Sequence, residues 1–276
     1  MNPQPISELS IKDYEHPLET QALARLKKTR GINKVISKFH EHSFEHRIRI
    51  QYLGSSLAVH ERSFPDLIYL RDKACEILQA PWIPDLYIQD VESLTAVSIG
   101  VEEPVIILSA QLVEKMRPEE LLFVIGREVA HIKSEHILYQ EIGMIFPEII
   151  EAFSVVTLGL SSVLSTGLRY ALYNWRQTAE YTADRGGLVA CQDIETVKWM
   201  MAKWAGLPQR SWSTFPIEEF VSQAVHYEEP TQNTMDKVIG FFLGDNNWSV
   251  VRAKELFAWM ETDAYHRLFQ RRIGDA

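Results

Sequence analysis

The chain is 276 residues long, 46% hydrophobic and 24% charged, which excludes a disordered polymer and suffices for one large core or two modest ones. Its net charge of −9, with Lys and Arg scattered rather than clustered, excludes the broad basic footprint of a nucleic-acid binder. Cys75 and Cys191 alone cannot form a disulfide framework, and each sits in an apolar helix-like stretch, as buried thiols of a reducing compartment do.

The N-terminal stretch MNPQPISELSIKDYEHPLET has no basic segment followed by an apolar one, so the expected location is cytoplasmic. Residues 1–63 form an N-terminal segment with weak patterning, in which 37–56 predict a short helix running into a strand before Gly54. From Phe64 a second stretch, 64–276, begins with a helix that places Leu67, Leu70, Ala74 and Leu78 on one stripe. DLYIQD and TAVSIGVEEPVIILSA read as strands, Ile106 to Leu108 being rich in β-branched residues.

The spacing then predicts one helix over 117–142, with Pro118 suited to a first turn and Glu119 and Glu120 at its positive end. The apolar run 142–172 reads as a buried helical hairpin, with membrane apposition as the alternative, because Glu148, Glu151 and Pro147 interrupt it and leave about 17 uncharged residues against the ~20 a span needs. Further helices are expected over 172–192, over 194–207 closing at Gly206 and Pro208, and over 249–272.

The chemistry lies in ELLFVIGREVAHIKSEH, Glu120 to His136, which reads as a zinc helix lacking its first histidine. In HExxH the two histidines, four apart, share a helix face and reach one ion, while the adjacent Glu points at the bound water as base. Here Glu128 and His131 stand in those places, and Arg127 replaces the first ligand. Downstream, RQTAEYTADRGG sets Glu180 and Asp184 four apart, so Glu180 can ligate and Asp184 can orient His131 through its second ring nitrogen.

These segments resemble the zinc metallopeptidases that include the heat-shock protease HtpX and the CAAX prenyl endopeptidase, whose pattern is HExxH with a later ExxxD. The resemblance spans roughly Phe64 to Tyr265, in four segments in the right order. It implies an α+β, mostly helical, gluzincin-type fold with a small sheet packed on the active-site helix. It also implies zinc as cofactor, Glu128 as catalytic base, His131 and Glu180 as metal ligands, and Asp184 behind them. Thr95, Ala96 and Gly100 would line the strand that takes a polypeptide. The chain departs from the family at Thr95-Ala96, where Asn-Ala is common, and at DNNWSVVR, where a His-Pro often precedes the last helix.

Arg127 is the departure that decides most, since a guanidinium offers no lone pair and does not deprotonate. A +1 charge ~4 Å from a +2 ion opposes it by roughly 8 kcal/mol at an effective dielectric of 20. The arginine can instead engage Glu180 or Asp184 as a clasp in the space of the ion. The expected function is therefore a metallopeptidase-fold protein with a degenerate zinc site that binds peptide with lost or weak hydrolysis. The alternative is an active zinc metalloendopeptidase using His131, Glu180 and a substitute ligand such as Glu135, four after His131; His136, five after it, points about 140° away on a continuous helix. HSFEH, His42 to His46, matches an inverted zinc motif, with His40 beside it, but lacks apolar helical surroundings and reads as polar surface. Trp175, Trp199 and Trp204 read as core.

Overall fold

A computed structural model describes residues 3–149, 162–227 and 248–273. The N-terminal stretch folds as α1 (Pro17–Lys28), α2 (Ile32–Glu41), α3 (Phe44–Leu53) and β1 (Ser56–Ala58). The strand expected before Gly54 lies after it, because α3 runs on to Leu53 with Phe44 and Ile48 buried. After α4 (Pro65–Leu78) come β2 (Asp85–Gln89), β3 (Ala96–Ile99) and β4 (Val105–Ser109). In α4 the predicted stripe Leu67, Leu70, Ala74 and Leu78 is buried, and Gln79 in the left-handed region ends the helix.

The sheet has the order β1-β2-β4-β3, with β2 and β4 parallel and both outer pairs antiparallel. Every residue of β4 is buried, as its unbroken apolar run requires of a strand covered on both faces. Ile106 and Leu108 join the core that includes α4, while Val105 and Ile107 join a second core with α1, α2 and α3. β3 is the outer strand, paired only with β4 among the described residues.

Next come α5 (Ala110–Lys115), α6 (Pro118–Lys133) and α7 (Ile137–Met144). The helix expected over 117–142 is two helices. Ser134 caps α6, Glu135 takes φ 58°, and the N–H groups of Glu135 and His136 donate to the carbonyls of Ile132 and His131 at 3.1 and 3.0 Å. That 6→1 and 5→2 pair is a Schellman end. The sequence conceals it because Glu rather than Gly occupies the left-handed position. Residues 120–132 of α6 are buried all round, so tertiary packing holds this helix in place.

The partner is α8 (Ser162–Cys191), followed by α9 (Ile194–Trp204), α10 (Ile217–Val225), α11 (Ser249–Met260) and α12 (Asp263–Phe269). The single helix expected over 249–272 breaks at Thr262, whose hydroxyl caps α12. Close approach of α6 and α8 needs small residues. A Cβ on Gly126 would fall 2.4 Å from Ala190 Cβ, and one on Gly187 would fall 2.6 Å from Arg127 Cγ. Gly187 therefore leaves the room in which the Arg127 stem lies.

The two cysteines are buried and free. Residues 150–161 of the apolar run expected as a hairpin lie outside the described residues, and no described helix is long and apolar enough to cross a membrane. The architecture matches the expected α+β, mostly helical fold with a small sheet against α6.

The turn from β3 to β4 is held by carboxylates. Gly100, at φ 88°, donates its N–H to Glu141 Oε1 at 2.7 Å, and Val101 donates to Glu45 Oε1 at 2.7 Å. Burial pushes the Glu141 carboxyl up to about 7, against the Gly100 bond that lowers it, with Glu45 adding to the rise. A carboxyl whose folded pKa exceeds its unfolded value of 4.5 stabilises below that value and loses the contribution as pH rises toward 7. Glu141→Gln keeps an oxygen for Gly100, so urea midpoints measured across pH 4.5–7 should fall less steeply in the variant than in the wild type.

Candidate functional site

α6, α8, α9, α11 and β3 meet around a cleft of about 620 Å³ lined by Thr95, Ala96, Arg127, Glu128, His131 and Glu180 among others. Gly100 is not in that lining, since its backbone turns away to Glu141. At the floor, Arg127 and Arg252 converge on the carboxylates of α8. Asp184 Oδ1 accepts Arg127 Nε at 2.6 Å and Arg252 Nη2 at 2.6 Å, and Oδ2 accepts Arg252 Nε at 2.8 Å. Arg127 Nη2 donates to Glu180 Oε2, and Arg252 Nη1 lies 3.7 Å from the same oxygen. Both guanidinium groups also lie over Trp204, at 4.9 and 5.1 Å from its centre, where the ring face attracts cations.

The electrostatics follow from this packing. Burial would raise the Glu180 carboxyl, but Arg127 and Arg252 outweigh it and hold the group below its ordinary value. Burial would likewise lower Arg252, and Asp184 and Glu180 outweigh that in turn and hold its pKa above the ordinary arginine value. Glu128 differs. Burial pushes it up to about 7, Glu180 adds to the rise, and Arg127 and Ser98 act against it. His131 is held well below its ordinary value by burial first and then by the positive surroundings of His136, Arg127, Arg252 and Arg176.

Of the residues singled out in the sequence, Arg127, Glu128, His131 and Glu180 come together here. Glu128 Oε1 lies 3.5 Å from Arg127 Nη1, and His131 Nε2 lies 3.7 Å from Glu180 Oε1. Asp184 is adjacent but does not orient His131, because both of its oxygens serve the two arginines. The second nitrogen of His131 meets His136 Nδ1 at 2.9 Å and Gln140 Nε2 at 3.1 Å instead. His136, expected to face elsewhere on a continuous helix, is returned to His131 by the Schellman end. Glu135, the proposed substitute ligand, is exposed on that bend and outside the cleft, for the same reason.

Among the described residues, no group of three or more His, Cys, Asp or Glu side chains is arranged to hold a metal ion. His46 of the inverted motif and His40 beside it are exposed, and His42 stacks on Phe44, at the junction of α2 and α3. Trp175 is core, as expected, whereas Trp204 faces the cleft. Three participants were not singled out from the sequence: Arg252, Gln140 and, behind the cleft, Glu19, whose Oε1 lies 2.8 Å from His136 Nε2. Arg252 carries a signal, an arginine on the apolar face of SVVRAKELFAWM, and it is 4% exposed. Glu19 and Gln140 carry none, being ordinary polar residues of short helices.

A model of peptidase family M48 matches residues 84–235, more than half of the chain. The chain belongs to peptidase family M48. The match includes α6, α8 and the strand β3, and leaves out Arg252 and Glu19. Over 273 residues this M48 protein is 24% identical to the plastoglobule-localized metallopeptidase 48, chloroplastic, of Arabidopsis thaliana, covering 96% of this chain and 77% of the relative. No solved structure matches. Membership gives a metallopeptidase-type fold in a family whose peptidases are typically zinc-dependent.

Proposed function

We propose that this chain is a pseudo-peptidase, in which an arginine clasp stands where its family holds zinc and the cleft captures an extended polypeptide with hydrolysis lost or weak. The observation that carries this reading is the Arg127 guanidinium seated on Glu180 and Asp184. A catalytic zinc takes three protein ligands and leaves one position for water or substrate. Here the donors left are His131 and Glu180, with Arg127 and Arg252 beside them, a set that does not fit the ion. Glu180 and Asp184 have their counter-charges already, so no cation is needed to satisfy them.

What supports polypeptide as the ligand is the outer strand. Thr95, Ala96 and Val97 border the cleft, and the edge of β3 away from β4, paired with no other strand among the described residues, offers backbone groups to an added strand. The order of the four sequence segments supports kinship with the HtpX and CAAX prenyl endopeptidase branch. The location named for the plant relative supports a lipid-apposed setting for this chain, in keeping with its apolar run over 142–172.

One observation favours the second reading, an active endopeptidase. Glu128 is retained, buried and raised to about 7, in the range useful to a general base. Glu135 does not supply the missing ligand, so that reading needs another donor. Metal content separates the two. Protein purified without chelator is expected to contain far less than one zinc per chain; near-stoichiometric zinc that disappears in His131→Ala would sink the clasp.

A further inference from the structure

Lys and Arg are scattered over most of the chain, but Arg25, Lys27, Lys28, Arg30 and Lys34 fall within ten residues, and no Asp or Glu occurs between Thr20 and His40. The structure sets all five at one corner. Arg25, Lys27 and Lys28 occupy the last turn of α1, Arg30 lies in the connection, and Lys34 lies in the first turn of α2. Gly31, at φ 98°, lets the chain turn between the two helices. Each of the five cations is exposed, and none is paired with a carboxylate among the described residues. Lys38, the next along α2, does pair, with Glu41.

Part of the pattern has a local cause, since cations suit the carbonyl end of α1. Arg30 and Lys34 lie beyond that end, and Lys34 stands at the positive end of α2, where the helix disfavours it. Helix stability therefore does not account for the concentration. The buried face of the same helices supplies a second observation. Leu26, Val35 and Phe39 share one cluster with Phe146, Ile149 and Leu168, which belong to the apolar run 142–172. Cations carried by helices that pack on an apolar run suit the boundary of a bilayer, where anionic headgroups meet hydrocarbon. They suit a nucleic acid less well, because no aromatic residue between Arg25 and Lys34 is there to stack on a base.

We propose that the α1–α2 corner is a docking surface for anionic phospholipid headgroups, held by Arg25, Lys27, Lys28, Arg30 and Lys34. The proposal rests on the lipid-apposed setting given above, to which it adds a surface and a sign of charge, and it does not depend on the state of the cleft. The net charge of −9 does not oppose it, because at physiological salt charges more than ~8 Å from the headgroups are largely screened. Near the headgroups it is the five unpaired cations that count.

Sedimentation with vesicles tests the corner. The wild type is expected to bind vesicles of equal parts phosphatidylcholine and phosphatidylserine at about 0.1 M salt, to leave them as salt is raised toward about 1 M, and to bind phosphatidylcholine alone far more weakly. Each cation near such a surface is worth roughly fivefold in partitioning, so the triple variant Lys27→Gln, Lys28→Gln, Arg30→Gln should bind on the order of a hundredfold more weakly with the far-UV circular dichroism of the wild type. Should the triple variant not fold, Arg25→Gln with Lys34→Gln reads the same surface, with a loss of roughly 25-fold. Equal binding to phosphatidylcholine alone, or wild-type binding by a folded variant, overturns the inference and leaves the lipid-apposed setting; binding to neither vesicle removes both. Tighter binding of a single-stranded oligonucleotide than of the mixed vesicles at the same salt would make the corner a nucleic-acid surface instead. None of these outcomes touches the arginine clasp, which zinc content tests.

Discussion

Arg127→His is expected to give the chain a zinc affinity that the proposed arginine clasp denies it. The substitution removes a fixed positive charge from the floor of the cleft and adds an imidazole one helical turn before His131, giving a set of two histidines and Glu180. Arg252 stays on Asp184 and keeps that carboxylate paired. The His131 lone pair still has to be turned toward the ion against His136 and Gln140, so Arg127→His alone should bind zinc weakly. Zinc titration followed by competition with a chromophoric chelator measures the affinity. A folded Arg127→His protein that takes up no zinc would mean that Glu180 is not placed to be a ligand.

Asp184→Asn is expected to be the most destabilising single change in the site. Asp184 is fully buried and serves two buried guanidinium groups through three hydrogen bonds, and its loss leaves both arginines without their main counter-charge. Breaking a buried pair by removing one partner costs about 3–5 kcal/mol. For a chain of this size that corresponds to a melting temperature lower by roughly 10 °C. Glu180→Gln is the internal control. That side chain is 24% exposed, so water screens its charge, and the expected loss is only about 1 kcal/mol. Calorimetry on the two variants compares them directly; equal losses would place the weight of the clasp on Glu180 rather than on Asp184.

The main elements around the site were legible because each had a local cause. The run Ile106 to Leu108 reads as strand because it is rich in β-branched residues, and it lies within β4. Pro118 with Glu120 marks the start of α6, and Glu120 accepts the Arg117 N–H at 3.0 Å. The pairing of α6 with α8 followed from the motif order, and the small residues Gly126 and Gly187 are what permits it sterically.

What misled was the continuation of a pattern through a break. Apolar residues recur at helical spacing from Leu121 to Ile132 and again from Ile137 to Ile142, and the polar residues Lys133 to His136 between them include no Gly or Pro to announce that α6 ends at Lys133. That single bend reverses two assignments at once, removing Glu135 from the cleft and bringing His136 to His131.

By itself, then, the sequence determined the helix that carries Glu128 and His131, the carboxylate pair four residues apart on α8, and the guanidinium of Arg127 four residues before His131. These are properties of spacing and of functional groups, which a linear chain displays. Only the tertiary structure decided how the charges are shared. Asp184 serves Arg252, 68 residues away, as well as Arg127, and His131 is wired to Glu19 through His136. Such partners are chosen by which side chains are left in the same low-dielectric space once the helices pack, and a buried charge has to be matched by whatever is within reach there.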